Sequence, residues 1–257
     1  MGKCCSKVSI GEEQLNTVDL SLESGNFEEI LREDINNEKF VIQLNYNNDS
    51  NKIKVLYPEI KLDIIHVDTI DSTMPASEKY IDEGNTSPFI YNTVIQTSGV
   101  GKGNRKWAGG IVGNLYTSTG IPLDFIKNEL NDDRIIVKIT AISIIQQLNK
   151  LVKNQYFLKH PNDILCKDKN KLGGIIARKY KDFYIIGFGI NIVDKPEQDQ
   201  IRKEGLLPCY VKAHLPDEVE TPNALNLSID VTKNILFNLN LTSEQIDKLF
   251  NQYLIKN

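Results

Sequence analysis

The sequence predicts an α+β domain in which a mixed β-sheet is flanked by helices. From about residue 62 to residue 192, short runs rich in β-branched and aromatic residues alternate with segments of helical periodicity. Within 133–151, apolar residues recur at helical spacing and predict an amphipathic helix with one buried stripe, formed by Ile136, Ile139, Ile142 and Ile145. The chain of 257 residues is 40% hydrophobic, which is enough to build a large core without help from a metal or a disulfide.

The domain organisation follows from shifts in composition along the chain. Residues 1–36 are mostly polar and acidic and are predicted to form a tail with one short helix near 27–32. One folded domain is predicted over 37–257, beginning with an accessory hairpin at 40–57. Its strands, 40–46 and 53–57, flank a turn-forming run of asparagine, aspartate and serine.

The elements of the core, 62–195, and of the C-terminal part, 196–257, are then assigned in order. The core is predicted to contain strands at 63–67, 91–96, 114–118, 156–159, 171–179 and 182–192, and helices at 76–83, after Pro75, and at 133–151. Residues 194–223 hold four prolines and predict a long irregular connection. Two helices, 229–238 and 243–255, are predicted to follow, the second with a capping box formed by Thr242 and Gln245.

Charge and cysteine content exclude several classes of function. The formal net charge of -4 and the pI near 5.5 argue against nucleic acid as a partner. No apolar run approaches the ~20 residues that span a bilayer, and no secretory signal precedes the folded domain. The four cysteines are too scattered for a disulfide framework, so we expect a reducing, cytoplasmic location.

The first six residues, Met1–Ser6, carry a lipidation pattern. Gly2 followed by Ser6 fits N-myristoylation, and Cys4 and Cys5 are candidate palmitoylation sites. Two acyl chains would hold the protein at a membrane surface, whereas an unmodified terminus is the alternative.

A glycine-rich basic loop, Gly99–Trp107, directly follows a predicted strand. Glycines let an anion approach the backbone closely, and backbone amides can cradle a phosphate. Lys102, Arg105 and Lys106 add charge that attracts a polyphosphate or a carboxylate. Basic glycine-rich turns without function are also common, so the loop alone leaves both interpretations open.

Three further segments combine polar residues with glycines in strands. Lys159–Asp163 closes a strand with a Pro-Asn-Asp turn, and Lys171–Ile175 follows eight residues later with paired glycines. Gly187–Asn191 places two more glycines in an apolar strand. Glycine weakens a strand unless another group approaches the backbone, so a nearby ligand is one interpretation and a bulge or bend is the other.

In this order and spacing, the segments resemble the catalytic domain of biotin protein ligases (holocarboxylase synthetases). The family's loop reads Gly-Arg-Gly-Arg-x-Gly-Arg-x-Trp, and it is matched at Gly99, Gly101, Arg105 and Trp107. The Lys-Trp-Pro-Asn-Asp motif is present with His160 for tryptophan, while Lys-Leu-x-Gly-Ile and Gly-x-Gly-Ile-Asn are intact. An upstream Asp-Ser-Thr turn and a glutamine before the loop also match, at Asp71–Thr73 and Gln96. The resemblance covers about 62–195 and implies the biotin/lipoate ligase fold, which is similar to that of class II aminoacyl-tRNA synthetases.

The resemblance implies a two-step ligase reaction. Biotin would attack the α-phosphate of ATP, and a lysine of a carrier domain would then attack biotinyl-5′-AMP. Mg²⁺ would be held mainly by the phosphates rather than by a direct protein cage. The implied partner is the biotin carboxyl carrier domain of a biotin-dependent carboxylase such as acetyl-CoA carboxylase.

The resemblance also implies three overlapping groups of site residues. The biotin-binding group is Ser72, Thr73, Gln96, Gly99, Lys102, Lys171, Gly187 and Gly189. The ATP-binding group is Gly101, Lys102, Arg105, Trp107, Lys159, Asn162, Asp163 and Asn191, with Trp107 near the adenine. The catalytic group is Lys171, Asp163 and Lys159: Lys171 would stabilise developing charge, and Asp163 would orient or deprotonate the incoming lysine.

Departures from the family pattern carry their own expectations. Val100 and Lys102 replace two loop arginines and Asn104 replaces a glycine, so we expect looser retention of the adenylate. His66 and His214 show no ligand spacing, which argues against a metal site built on histidine. No DNA-binding domain is expected before the core, and the small β-barrel that ends many members is expected to be absent.

Two alternatives remain open on sequence grounds. A lipoate or octanoate ligase would share the fold but differ in motifs. A degenerate member would bind biotin or a carrier without turnover, because loop arginines are missing. Some members of the family form homodimers through sheet edges, and the sequence does not decide the oligomeric state.

Overall fold

The strands form one large mixed sheet and a small ribbon in the computed structural model, which describes residues 45–47, 52–57, 60–103, 105–197 and 205–255. The strands are β1 (Asn45–Asn47), β2 (Lys52–Tyr57), β3 (Ile60–Ile70), β4 (Phe89–Gln96), β5 (Gly99–Val100), β6 (Lys106–Trp107), β7 (Leu115–Pro122), β8 (Tyr156–Lys159), β9 (Asp163–Cys166), β10 (Lys171–Tyr180) and β11 (Phe183–Ile190). The large sheet has the order β1-β2-β3-β4-β7-β11-β10-β9-β8, and β5 pairs only with β6. Among neighbours in the large sheet, β3 and β4 are parallel and the other described pairs are antiparallel, which confirms the predicted mixed sheet.

Helices cover both faces of this sheet. They are α1 (Thr73–Asp82), α2 (Asp133–Leu151), α3 (Ala224–Asn238) and α4 (Ser243–Tyr253), with short 3₁₀ turns at 123–125, 128–130 and 211–214. The main hydrophobic core lies between the sheet and α2, α3 and α4, while a smaller core lies between the opposite face and α1.

The alternation of side chains along β11 explains the two layers. Tyr184 and Ile186 belong to the main core, whereas Ile185 packs with α1 on the other face. Because successive residues of a strand point to opposite faces, Gly187 and Gly189 lie on the α1 face. The two glycines therefore allow other groups to approach the sheet backbone closely on that face.

Several predicted elements are confirmed. The helix 133–151 and the strand 156–159 have the predicted bounds, and α2 is capped by Asp132, whose side chain accepts a hydrogen bond from the Arg134 amide at 2.7 Å. The single buried stripe predicted for this helix was wrong, because every residue from Ile139 to Leu148 is buried between the sheet and the C-terminal helices. The capping box of α4 is present in both directions, with Thr242 and Gln245 each accepting from the other's backbone amide. β1 and β2 form the predicted antiparallel hairpin, with Asn45 opposite Lys54.

Other predicted bounds were wrong for identifiable reasons. α1 begins at Thr73 rather than at Ala76, because a proline in the first turn of a helix removes an amide that has no partner there anyway. α3 begins at Ala224, five residues early, since Asn223 caps it by accepting from the Asn226 amide. β9 was not predicted, because four residues are too few to show periodicity.

Some predictions fall outside the described residues. These are the tail 1–36 with its helix at 27–32, the acyl acceptors Gly2, Cys4 and Cys5, the start of the first strand at 40–44, and Asn104. In the described parts of the connection 194–223, the chain is irregular apart from the 3₁₀ turn at 211–214 and a bridge between Pro208 and Lys171.

Strand β8 at the end of the sheet is covered by the last described residues. Leu254 forms an isolated parallel bridge with Leu158, and the Ile255 amide donates to the Leu158 carbonyl at 3.0 Å. None of the helices that the structure describes is both long and apolar enough to cross a bilayer.

Candidate active site

A cavity of about 530 Å³ opens on the α1 face of the sheet. Its walls come from the start of α1, the glycine-rich loop, the ends of β8 to β11 and the segment 205–208. It is lined by all but one of the residues predicted to bind substrates or take part in catalysis: Ser72, Thr73, Gln96, Gly101, Lys102, Arg105, Trp107, Lys159, Asn162, Asp163, Lys171, Gly187, Gly189 and Asn191. The exception, Gly99, lies beside the cavity in the ribbon, where a Cβ would come within 2.6 Å of the Trp107 carbonyl oxygen.

One end of the cavity is a buried polar network. Thr73 donates its amide to the Gln96 side-chain oxygen at 2.8 Å, and its hydroxyl lies 2.7 Å from that of Ser118. Thr73, Gln96 and Ser118 are 2%, 8% and 0% exposed, while the buried Ser72 hydroxyl has no partner among the described residues. Since buried polar groups favour hydrogen-bonded partners, this end can receive a small polar group that both donates and accepts.

An ion pair lies in the middle of the cavity. Lys171 Nζ and Asp163 Oδ1 are 2.6 Å apart, and their side chains are about a quarter exposed. The two residues come from adjacent strands, β10 and β9, and Lys159 of β8 lies directly opposite Asp163 in the register. The register and the ion pair therefore bring two amines and one carboxylate to one part of the cavity, where an anion and a nucleophile can be bound together.

Two of the predicted polar residues hold neighbouring backbone segments in place through side-chain hydrogen bonds. The Asn162 side-chain amide donates to the Ile175 carbonyl at 2.9 Å, and the Asn191 side-chain amide donates to the Cys209 carbonyl at 3.0 Å. Asn162 thus holds the Pro-Asn-Asp turn to β10, and Asn191 holds the segment after residue 205 to the end of β11. Their side-chain oxygens are the atoms that each can offer to a ligand.

The basic loop forms the other end of the cavity and is far more exposed. Gly101 donates its amide to the Arg105 carbonyl at 2.8 Å, and Arg105 Nε donates to the Lys102 carbonyl at 2.8 Å. The charged ends of Lys102 and Arg105 face solvent. Gly103 has a φ of +67°, in the left-handed region that glycine tolerates best.

Trp107 connects the loop to the sheet. A Cβ on Gly189 would come within 2.5 Å of the Trp107 indole, and Lys171 Nζ lies 5.7 Å from the centre of that ring. Similarly, a Cβ on Gly187 would meet the Met74 sulfur at 2.8 Å. In this structure, side chains of the protein itself approach the two glycines, and the buried indole N–H has no partner among the described residues. Sequence reasoning anticipated close approach at these glycines but assigned it to a ligand or to a bend.

Some residues of the site were not found from the sequence. Ser118 belongs to no motif, and Met74 lies between the Asp-Ser-Thr motif and the start of the predicted helix. Pro208 and Leu206 come from the irregular connection, which packs against Lys171 through backbone hydrogen bonds. Only the folded chain brings Met74, Leu206 and Pro208 to the cavity and Ser118 to the network at its polar end, since no sequence pattern marks these particular residues.

The donor set fits a magnesium ion only in complex with a nucleotide. Among the described residues that line the cavity, Asp163 is the single carboxylate. Magnesium is usually bound by one or two carboxylates together with substrate phosphates and water. Asp163 and the Asn162 oxygen could contribute to such a complex, and magnesium would supply charge neutralisation at the phosphates.

Comparison with known proteins agrees with this fold. Residues 67–191 match the model of the Biotin/lipoate A/B protein ligase family. A biotin--[acetyl-CoA-carboxylase] ligase of Mycobacterium tuberculosis is 27% identical over 119 residues, which are 46% of this chain and 44% of that protein. The match therefore spans less than half of the length of that relative.

Solved structures with the same fold include two biotin protein ligases. The enzyme of Leishmania major, in complex with biotinyl-5-AMP, has a TM-score of 0.67 and 22% identity, covering 75% of this chain and 81% of that one. The enzyme of Aquifex aeolicus, in complex with biotin and ATP, has a TM-score of 0.59 and 23% identity, covering 75% and 78%. These similarities confirm the predicted fold class.

Proposed function

We propose that the protein is a biotin protein ligase. It would activate biotin with ATP to give biotinyl-5′-AMP and transfer the biotinyl group to a lysine of a biotin carboxyl carrier domain. The observation that carries the proposal is the Lys171–Asp163 ion pair, which lies between a buried polar end and a basic glycine-rich loop in one cavity. The likeness to the mycobacterial ligase supports biotin as the acid and an acetyl-CoA carboxylase as the source of the carrier.

The polar end formed by Ser72, Thr73 and Gln96 suits the ureido head of biotin. A ureido group offers one carbonyl acceptor and two N–H donors, and this end holds hydroxyl and amide groups of both kinds. The glycine at position 187 leaves room for the Met74 side chain, which lines the cavity beside this polar end. The valerate chain would then run toward Lys171.

In the first step, a biotin carboxylate oxygen forms a bond to the α-phosphorus of ATP. The bond from that phosphorus to the bridging oxygen breaks, and pyrophosphate leaves. Lys171 would sit beside both the carboxylate and the phosphate, so its charge stabilises the negative charge that builds up between them. Lys102 and Arg105 on the loop would attract the phosphates, and the loop would shield the adenylate from water.

In the second step, the carrier lysine attacks the biotinyl carbonyl carbon. The bond from this carbon to the phosphate oxygen breaks, AMP leaves, and the attacking amine loses a proton. Asp163 is the carboxylate in reach of the reacting centre, because it lies 2.6 Å from Lys171 Nζ. Once Lys171 turns to the adenylate, Asp163 becomes available to orient or accept a proton from the incoming amine.

The test is transfer of labelled biotin to an apo carrier domain with ATP and magnesium. Lys171→Ala should lower the rate of transfer by about 100-fold or more, since groups that stabilise transition-state charge contribute on that scale. Lys179→Ala is the matched control, because Lys179 is an exposed lysine of the same strand outside the cavity. Transfer of lipoate or octanoate instead of biotin would identify the sister activity, and tight biotin binding without any transfer would identify a non-catalytic binder.

The amino-terminal pattern supports a separate proposal, acylation at Gly2 with palmitate at Cys4 and Cys5. Metabolic labelling with an alkyne-bearing myristate tests it. Label on the wild-type chain that is lost in Gly2→Ala is expected, and an unlabelled wild-type chain would contradict it. This test is independent of ligase activity.

A further inference from the structure

Three potential metal ligands lie close together near β10, the strand that carries Lys171. Cys166 ends β9, Cys209 lies in the connection after β11, and His214 ends the 3₁₀ turn that follows. One ligand atom of each lies within 4.8 Å of the other two. Both cysteines are free and buried, at 0% and 6% exposure, while His214 is half-buried.

The hydrogen bonds of this cluster leave its polar atoms poorly satisfied. Both thiols donate to one acceptor, the Asn170 carbonyl, at 3.5 Å from Cys166 and 3.3 Å from Cys209. A thiol is a weak donor, so these contacts compensate little for burial. Purely apolar packing would not need two thiols directed at the same oxygen.

A third observation comes from Tyr156, which lies directly opposite Cys166 on the neighbouring strand. Its side chain is 1% exposed, and its hydroxyl has no partner among the described residues. A buried hydroxyl without a partner calls for an additional group beside it, such as an ordered water molecule or an ion with bound water.

The donor set selects the class of ion. Two thiolates and one imidazole are the ligands of thiophilic divalent ions, zinc above all, whereas magnesium and calcium require oxygen. Ligand atoms of a tetrahedral zinc site lie roughly 3.5–3.8 Å apart, as follows from zinc–ligand bonds of about 2.0–2.3 Å. The cluster needs only a small contraction to reach this spacing.

We propose that Cys166, Cys209 and His214 bind a zinc ion. Each thiol loses its proton as the ion binds, and the imidazole contributes a nitrogen lone pair. A water molecule takes the fourth position and accepts a hydrogen bond from the Tyr156 hydroxyl. Spacing along the sequence argued against a metal site at His214, because the three ligands come from separate segments.

The ion would fasten one wall of the active-site cavity. The Lys171 amide donates to the Leu207 carbonyl at 2.7 Å, and the Cys209 amide donates to the Lys171 carbonyl at 2.8 Å. Zinc would add a stronger bond between this segment and β9, the strand that also carries Asp163. Its role is to position the backbone around Lys171, with no contact to the substrates.

The experiment is metal analysis of the purified full-length chain, reduced and free of biotin and ATP. The background carries Cys4→Ser and Cys5→Ser, so that the amino-terminal cysteines cannot supply thiolates. We expect about one zinc per chain, and cobalt in its place should give a thiolate-to-cobalt absorption band. The measurement involves neither substrate, so it can fail while ligase activity stands, and the reverse also holds.

Variants then locate the ion. His214→Asn and Cys209→Ser should each lose the bound metal and the absorption band, whereas the control His66→Gln should retain both. Tyr156→Phe should keep the band and weaken cobalt affinity by about tenfold, as expected for a group outside the ligand set. Because Cys209 is buried, folding of each variant is checked by circular dichroism, and His214→Asn tests the site at a more tolerant position.

Three outcomes would overturn the proposal. A folded, reduced wild-type chain without zinc that also fails to bind cobalt would do so. Full metal content in the folded His214→Asn variant would do the same. A native Cys166–Cys209 disulfide, seen as the loss of two hydrogens by mass spectrometry, would identify an oxidisable pair instead.

Discussion

The two ends of the active-site cavity are built in different ways. At the polar end, Thr73 and Gln96 are buried, hydrogen-bonded to each other, and anchored on α1 and β4. At the basic end, Lys102 and Arg105 are exposed and belong to a loop held by a two-residue ribbon. The polar end is thus formed before any ligand arrives, whereas the charges of the loop have no fixed partner among the described side chains. This difference suggests that recognition of the acid is built into the fold, and that closure over the nucleotide depends on binding.

Among changes at the two ends, the largest expected effect comes from disturbing the polar end. Thr73→Val removes a hydroxyl that contacts both Ser118 and Gln96 while keeping the shape of the side chain. Losing one partner in a buried hydrogen-bonded network costs about 1–3 kcal/mol, so the KM for biotin should rise about tenfold or more. Steady-state kinetics at varied biotin concentration measures this.

Thr97→Val is its control, since Thr97 is exposed and its hydroxyl donates only to the Asp71 carboxylate among the described contacts. An equal rise in KM for both variants would mean that the polar end is not the biotin site.

The second-largest expected effect comes from changing the contact between Trp107 of the loop and Gly189 of the sheet. Gly189→Ala places a methyl group where the Trp107 indole now lies, so the indole must move away from the sheet. Trp107 is the only tryptophan of the chain, which makes its fluorescence a direct report on the loop. We expect a red shift of the emission and a severalfold loss of activity.

Gly110→Ala is the matched control, because a Cβ there meets nothing within 4 Å. Unchanged emission in Gly189→Ala would show that Trp107 does not rest on this strand in solution.

The third effect tests the loop itself. Val100→Arg with Lys102→Arg restores two arginines to positions where side chains are exposed at the cavity. Because arginine can make bidentate bonds to phosphate, the adenylate should dissociate more slowly, by a few-fold to about tenfold. A chase experiment with preformed labelled adenylate gives this rate, and an unchanged rate would contradict the expectation that the natural loop holds its adenylate loosely.

The smallest expected effect is on the stability of the fold at a position outside the cavity, the N-cap of α2. Hydrogen bonds from Arg134 lower the pKa of Asp132 to about 2, and this carboxylate caps α2. Since the pKa is depressed on folding, the stabilisation is present above the unfolded pKa of about 3.9 and is lost as the pH falls towards 2. Asp132→Asn should therefore flatten the pH dependence of the melting temperature between about pH 4 and pH 2, with biotin affinity at neutral pH unchanged. A wild-type melting temperature that is as flat as that of the variant in this range would contradict the assigned pKa.

The sequence was informative where a pattern is local. The helix 133–151 could be bounded because its periodicity is long and Asp132 is a favoured N-cap residue. The motif residues could be identified because they form short, ordered segments. The start of α1 was wrong because Pro75 was taken to precede the helix, although the first turn also accepts proline.

What the sequence could not supply is contact between distant segments. Nothing near Gly189 announces that Trp107 lies upon it, since the two are 82 positions apart along the chain. Likewise, Cys166 and Cys209 look isolated in the sequence and meet only because the connection after β11 returns along β10. Such contacts depend on strand order and register, which hydrophobic patterning does not determine.

The cover over strand β8 has a consequence for self-association. An uncovered edge strand offers unpaired amides and carbonyls to any extended segment, including a second copy or an unfolded chain. Here the carbonyl of Leu158 is already engaged by the Ile255 amide. A strand that adds to the sheet at β8 must first displace Leu254 and Ile255. These two residues therefore protect this edge from edge-to-edge aggregation.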